Sequence, residues 1–345
     1  MTEQATGDPP GLDVARFATW FTEVMPGLVT GALSARLIAG GKSNLTYEVT
    51  DGVSTWIVRR PPLGHVLATA HDMAREYRVI SALRGTAVPV PRTYVYCDDP
   101  EVIGAPFYVM EKVNGRPYRD FEELVALGRE RTRAISIGLV DTLATLHEVD
   151  PAAVGLADFG RPAGFLRRQV QRWKKQLDAS YCRELRAADE LHARLLATVP
   201  RESPAGIVHG DYKLDNVLMD AHDRPVAVID WEMATLGDPL TDVALLVIYR
   251  RLDVSLRGRA VSGASAAPGF LTEEEMLQRY AARSARDFSR FGFYLGLAAF
   301  KLATILEGIH YRYLSGQTVG PGFEHIGSAV EPLLDIGLAA LKEYC

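Results

Sequence analysis

The segment Ile207–Asp230, IVHGDYKLDNVLMDAHDRPVAVID, carries the residues whose types and spacing suit chemistry. Two short apolar runs, Val217–Met219 and Val226–Ile229, flank the turn-forming DAHDRP, a pattern that predicts a β-hairpin. In an antiparallel hairpin the residue entering the first strand lies beside the residue leaving the second. Here those residues are Asn216 and Asp230. An amide oxygen and a carboxylate are thereby expected together. Such oxygens suit Mg²⁺, which keeps most of its waters and leans on phosphate for the rest. Asp211 precedes Asn216 by one short loop and feeds the same end. One group can then take a proton from an attacking hydroxyl while the other two hold metal. Phosphoryl transfer needs these parts, because its catalysis is mostly positioning and charge neutralisation. Asp215 and Asp220 read as ordinary turn and cap carboxylates.

HGD followed by four residues and Asn, then a hairpin ending in ID, resembles the aminoglycoside phosphotransferase branch of the protein-kinase-like fold. In that family HGD stands where protein kinases have HRD, and the second metal-binding Asp stands where they have DFG. The resemblance implies Asp211 as catalytic base, Asn216 and Asp230 as Mg²⁺ ligands, and His209 as a structural residue that holds the loop. It also implies ATP and Mg²⁺ as cofactors. The stretch IAGGKSNLTYEV resembles the family's phosphate-covering loop. Gly40 and Gly41 let the backbone approach phosphate oxygens, and Ser43 and Asn44 offer donors. It is not a Walker A motif, which would need Gly where the chain has Arg36.

Strand 55–60 is expected to deliver the cation that grips the α- and β-phosphates. The family usually has Lys there, and this chain has Arg59-Arg60. Neighbours in a strand face opposite ways, so only one can point at ATP. Alignment of IVR with the VAIK-type strand selects Arg59, whose fork can grip phosphate, with Arg60 as the alternative. Glu76 on the following helix is expected to pair with it. FYVMEKV resembles the hinge strand, where backbone groups of Glu111 and Val113 would meet adenine. Asp238 and Asp242 are expected to support the catalytic loop, and His147 to be a packed structural histidine.

The elements that must position these residues follow from periodicity. Val14, Phe17, Phe21 and Val24 predict an amphipathic helix over 13–25, ended by Pro26-Gly27. Leu45, Tyr47 and Val49 alternate with polar residues, Asp51-Gly52 signals a hairpin turn, and STWIVRR returns as a strand. A helix is expected over 71–84, and strands over 92–96 and 106–111. Helical periodicity covers 121–147, 164–179 and 181–199, then 239–250 and 271–314 after the short β segment 207–231. Residues 255–270, rich in Gly, Ser and Ala, read as a flexible loop. There is no internal repeat. The expected fold is α+β and protein-kinase-like. A small β-rich nucleotide-binding lobe is expected over 1–112, and a larger, mainly helical catalytic and substrate-binding lobe over 113–345.

Composition limits the partners. Of 345 residues, 48% are hydrophobic and 23% charged, which excludes bulk disorder. A net charge of −5 argues against a nucleic-acid partner. Cys97, Cys182 and Cys345 fit neither a zinc pattern nor a disulfide scaffold and read as free thiols. MTEQATGDPP lacks the features of a signal peptide. The apolar stretch Phe291–Ile309 is interrupted by Lys301 and Glu307, so a buried helix is expected rather than a membrane span. A cytoplasmic location is the corresponding expectation. The oligomeric state is not legible.

Arg161, Arg167, Arg168, Arg172, Lys174 and Lys175 surround Trp173, with no acid between 159 and 177. This stretch suits an anionic acceptor, or is a solvated helix face. The runs VRRPPLGHVLATAHDMAREYRVISAL and VIDWEMATLGDPLTDVA look most like the kinase-like domains found fused to, or encoded beside, acyl-CoA dehydrogenases. That resemblance implies a hydroxyacyl-CoA acceptor. Tyr212, Lys213, Arg172, Trp173, His310 and Arg312 are the candidate acceptor contacts. The alternatives are an aminoglycoside kinase, whose polycationic substrate wants an acidic pocket, and a nucleotide-binding regulatory pseudokinase, motivated by Arg in place of Lys.

Overall fold

The computed structural model describes residues 8–38, 44–63, 72–180, 182–201, 203–256, 263–318 and 323–343. Two compact units form: Met1–Asn114 with Ile229–Glu232, and Gly115–Val228 with Met233–Cys345.

The first unit is built on an antiparallel sheet of β1 (Ser34–Leu37), β2 (Leu45–Thr50), β3 (Thr55–Arg60), β4 (Thr93–Cys97) and β5 (Phe107–Glu111), in the order β1-β2-β3-β5-β4. The β2–β3 turn is closed by Asp51, which accepts the Val53 and Ser54 N–H groups at 3.0 and 2.6 Å. Gly52 takes the left-handed conformation that turn requires (φ +88°). Helix α1 (Val14–Val24) is capped by Asp13 and buries Phe17 and Phe21. Phe17 meets Phe107 and Phe21 meets Trp56, so the helix and the sheet share one aromatic core. Helix α2 (Met73–Leu83) starts at Asp72, and its apolar residues Met73, Val79, Ile80 and Leu83 are buried. A short helix α3 (Pro100–Ile103) lies between β4 and β5.

In the second unit the helix expected over 121–147 is two helices, α4 (Phe121–Leu127) and α5 (Arg129–Glu148). Gly128 divides them with φ +85° and ψ 164°, a backbone that no α-helix can carry through. Next come α6 (Phe165–Asp178) and α7 (Arg186–Ala197). Strand β6 (Gly206–Val208) pairs with β9 (Thr235–Gly237), and β7 (Val217–Met219) pairs with β8 (Pro225–Val228) as the expected hairpin. Helix α8 runs over Leu240–Leu256.

The loop expected over 255–270 is not loose where it is described. Residues 257–262 lie outside the described residues. After them Ala264, Ala267 and Phe270 are buried, and Asp253 accepts the Ser265 hydroxyl at 2.6 Å. The helical stretch 271–314 is also two elements, α9 (Glu273–Ala281) and α10 (Phe291–Leu314). Thr272 and Glu275 form a capping box that starts α9. The last helix is α11 (Val330–Glu343).

Among the described residues, α10 is the one helix long and apolar enough to cross a membrane. It packs against α11, α8 and α6 and is mostly buried. The two charges within its apolar stretch are satisfied within the protein: Lys301 donates to the Gly210 carbonyl, and Glu307 accepts from Arg183 at 2.6 Å. Its hydrophobicity is therefore that of a core helix. Cys97 and Cys182 are free thiols; Cys345 lies outside the described residues.

Candidate functional site

Strand parity decides the two arginines of β3. Arg60 turns to backbone carbonyls, donating to Ile103 at 2.8 Å and to Gly11. Arg59 turns the other way. Its Nε donates to Glu76 Oε2 at 3.0 Å and its Nη2 donates to Asp230. Glu76 is buried and Arg59 largely so, with side chains 1% and 12% exposed. Burial pushes the Glu76 carboxyl above the usual range, and the Arg59 charge opposes that shift. The Trp231 N–H donates to the second Glu76 oxygen at 3.2 Å, so Glu76 ties β3 to the segment that carries Asp230. Asp230 itself has φ +66°, a left-handed backbone that Asp tolerates better than most residues. Asn44 is buried and donates to Glu232 at 3.0 Å. Gly40, Gly41 and Ser43 lie outside the described residues. Glu111 spends its N–H on the Arg92 carbonyl at 2.7 Å, so of its two backbone groups the N–H is not available to a ligand. Val113 is partly exposed two residues beyond it.

In the second unit the loop His209–Asn216 is held from several sides. Asp242 on α8 accepts the His209 N–H at 2.6 Å and the Gly210 N–H at 2.9 Å. Burial opposes its ionisation, but His147 beside it and these N–H groups hold its carboxyl below the usual range. A neutral amide in its place would offer one acceptor oxygen to two donors. Asp242→Asn is therefore expected to cost about 1–3 kcal/mol, read as a lower urea midpoint; an unchanged midpoint would contradict this anchoring. Gly210 has φ +83°, and a Cβ there would sit 2.6 Å from the Met233 carbonyl oxygen, so the position admits no side chain. Asp238 accepts the Tyr294 hydroxyl at 2.7 Å and the Leu240 N–H at 3.1 Å.

Asp211 is surrounded by donors. Tyr249 on α8 donates to Oδ1 at 2.8 Å, Asn216 Nδ2 reaches Oδ2 at 3.2 Å, and Lys213 Nζ lies 3.1 Å from Oδ2. Asn216 also donates to the Asp211 carbonyl at 2.9 Å, which leaves the Asn216 side-chain oxygen as its one acceptor. Burial works against the Lys213 charge, but Tyr249 and the carboxylates of Asp211 and Asp215 outweigh it and hold the ammonium above the ordinary lysine range. The hairpin register pairs Val217 with Val228. The strand pairing ends there, one residue short of Asn216 and two short of Asp230.

The candidate acceptor residues separate. Tyr212 does not line the loop's open side: it is fully buried and donates to the Leu139 carbonyl at 2.8 Å. His310 packs against Gly327 and Arg312 is exposed. Both lie beyond Lys301 on α10 by about 14–17 Å of helix rise, and neither bonds to the loop. Trp173 is buried, and the Arg172 guanidinium and the Lys301 ammonium each lie 5.4 Å from its ring centre. Lys301, which interrupts the apolar stretch of α10, donates to the Gly210 carbonyl. Burial lowers its pKa, Asp211 and Asp242 oppose that, and Arg172 and Lys213 add to it. Much of the remaining basic stretch is committed elsewhere. Arg168 folds back on the Arg161 and Ala163 carbonyls, and Lys174 pairs with Asp178 and Asp189. Tyr249 and Lys301 are the contributors that no local motif announces.

Comparison with known proteins identifies the family and the fold. The profile of the phosphotransferase enzyme family matches residues 34–280. Acyl-CoA dehydrogenase family member 11 from Rattus norvegicus is 34% identical over 337 residues, covering 94% of this chain and 43% of that protein. The chain thus spans less than half the length of the curated relatives it matches. A crystal structure of a candidate aminoglycoside phosphotransferase from Ralstonia eutropha is 32% identical, with a TM-score of 0.82 over 96% of this chain and 99% of the other. A thermostable aminoglycoside phosphotransferase APH(4)-Ia, in ternary complex with AMP-PNP and hygromycin B, shares the fold at 15% identity, with a TM-score of 0.59 over 94% of this chain and 97% of the other.

Proposed function

The chain belongs to the phosphotransferase enzyme family, and on that premise we propose that it moves the γ-phosphate of ATP to a hydroxyl of an anionic small molecule. The observation that carries this reading is the charge gathered around Asp211. Lys213 sits on its carboxylate, Lys301 on the neighbouring Gly210 carbonyl, and Arg172 shares the Trp173 ring with Lys301. In its role as base, Asp211 orients the acceptor hydroxyl and takes its proton. Tyr249 and Asn216 keep the carboxylate from rotating.

A carboxylate, phosphate or CoA group on the acceptor suits these cations. A polycationic antibiotic would be repelled by them. The acyl-CoA dehydrogenase relatives support a hydroxyacyl-CoA as the acceptor. Arg59 grips the α- and β-phosphates, with Glu76 fixing its fork. Gly40, Gly41, Ser43 and Asn44 cover the phosphates, and the backbone near Glu111 and Val113 meets adenine.

Among the described residues no three His, Cys, Asp or Glu side chains gather into a metal cluster. The Asn216 side-chain oxygen in the second unit and the Asp230 carboxylate in the first are each the kind of ligand that Mg²⁺ takes, with water and phosphate for the rest of its shell. When bound, Mg²⁺ neutralises phosphate charge. A regulatory pseudokinase would have little need for Asp211 held by three donors, which favours the enzyme. A cytoplasmic location, with no nucleic-acid or membrane partner, belongs to the same proposal.

The test is an acceptor panel. The full chain is incubated with ATP and Mg²⁺ and either hydroxyacyl-CoA thioesters or aminoglycosides, and products are read by mass. Phosphorylated hydroxyacyl-CoA is the expected product. Preferential phosphorylation of an aminoglycoside would overturn the acceptor class.

A further inference from the structure

A second concentration of positive charge lies in the second unit, away from Asp211. A cavity of about 540 Å³ is walled by the end of α5, by Pro200, Arg201, Ser203 and Pro204, and by the turn that leads from α9 into α10. Four arginines line it, Arg201, Arg283, Arg286 and Arg290, against two carboxylates, Glu148 and Asp287.

The two carboxylates are already engaged. Glu148 faces Arg283 at 3.7 Å, and Asp287 accepts the Ser289 hydroxyl and N–H, both at 2.8 Å. Arg283 also faces Asp141 at 3.7 Å. The other three arginines have no ion pair with a described residue. Arg286 is nevertheless held in place, donating to the Pro204 carbonyl at 2.7 Å and lying 3.4 Å from the Ser203 hydroxyl. A guanidinium aimed by backbone, with no ion pair to a described carboxylate, is prepared for an anion from outside. The other walls are apolar or aromatic, from Pro200, Pro204, Ala285 and Tyr294. A volume of this size lies within the range of small-molecule sites, and an apolar lining with a few fixed polar groups is their usual character.

The cavity also abuts the catalytic loop's anchor. His147 forms one buried wall, and its Nε2 lies 3.4 Å from Asp242, the carboxylate that holds the His209 and Gly210 N–H groups.

We propose that this cavity is a binding site for a small phosphate-bearing molecule with an apolar body, separate from the site of phosphoryl transfer. Arg286 and Arg290 take the phosphate with Arg201, and Tyr294 with the two prolines receives the body. An acidic peptide would not need the apolar and aromatic wall, so a small molecule is favoured.

The test uses inorganic pyrophosphate as the probe, titrated calorimetrically into the full chain without Mg²⁺ at low ionic strength. Saturable binding is expected. Arg201→Ala/Arg290→Ala should weaken it about tenfold or more, since two charge contacts exceed the ~1.4 kcal/mol of a tenfold change. Both residues are exposed, so the variant should keep the wild-type melting temperature. Ser284→Glu, which puts a carboxylate into the cavity, should give the same loss and stands in if the double variant is unstable. No binding by the wild type, or equal binding by folded variants, would overturn the proposal. Poly-glutamate that binds more tightly than pyrophosphate and displaces it would overturn the small-molecule class.

Discussion

Asp211→Asn is expected to lower phosphoryl transfer by about 10²–10⁴-fold, the range a positioned general base contributes, while nucleotide affinity is largely kept. The substitution is close to isosteric. Asn keeps an oxygen for the Tyr249 hydroxyl, now at 2.8 Å, and loses the charge that faces Lys213 at 3.1 Å. Asp242 still holds the loop at His209 and Gly210, so the backbone stays in place. Steady-state turnover and calorimetric ATP titration of the same preparation separate the two effects. Turnover equal to wild type would remove Asp211 from the chemistry. Joint loss of turnover and nucleotide binding would mean that the loop had moved.

The second large effect is expected from Asp230→Asn. Asn tolerates the left-handed backbone seen at φ +66°, so the chain path survives. Its side-chain oxygen can still accept from Arg59, and Glu76 still holds the Arg59 Nε at 3.0 Å. What disappears is one negative charge. If Asp230 is a Mg²⁺ ligand, its loss removes part of the several kcal/mol that a bound cation supplies, roughly 10²-fold or more in rate. The Mg²⁺ titration of activity should also shift to higher concentration. A titration curve that overlays the wild type would contradict the ligand assignment, whatever the change in rate.

HGD, Asn216 and the hairpin were legible because they are local: Asp211 and Asn216 meet through a single loop, at 3.2 Å side chain to side chain. The opposite facing of Arg59 and Arg60 follows from strand parity alone, and the structure shows what each meets. Tyr212 shows the limit of adjacency. It follows Asp211 in the chain, yet its side chain goes into the core and bonds to α5. Tyr249 and Lys301 could not be read at all, because they reach the loop across 38 and 91 residues from helices whose faces look merely apolar. The late helix illustrates the same point in reverse. His310 and Arg312 were attractive by type, but the residue of α10 that meets the loop is Lys301, and the helix rise carries the other two past it.

Local breaks were the harder part of the fold. Gly128 sits in a stretch with unbroken helical periodicity, and only its backbone angles reveal a junction. The Ser- and Ala-rich segment after 262 looked mobile by composition, whereas Asp253 clamps it and Phe270 is buried. Gly128 is a local helix terminator that the periodicity masked, whereas in the later segment tertiary context overrode local propensity.

The most direct test of the account is to follow phosphorus itself. ³¹P NMR of the full chain with ATP, Mg²⁺ and a hydroxyacyl-CoA should show a new phosphomonoester resonance growing together with ADP, and none without the acceptor. ATP consumed only to inorganic phosphate, or ATP bound and left intact with every hydroxylated anion offered, would contradict a small-molecule phosphotransferase built around Asp211.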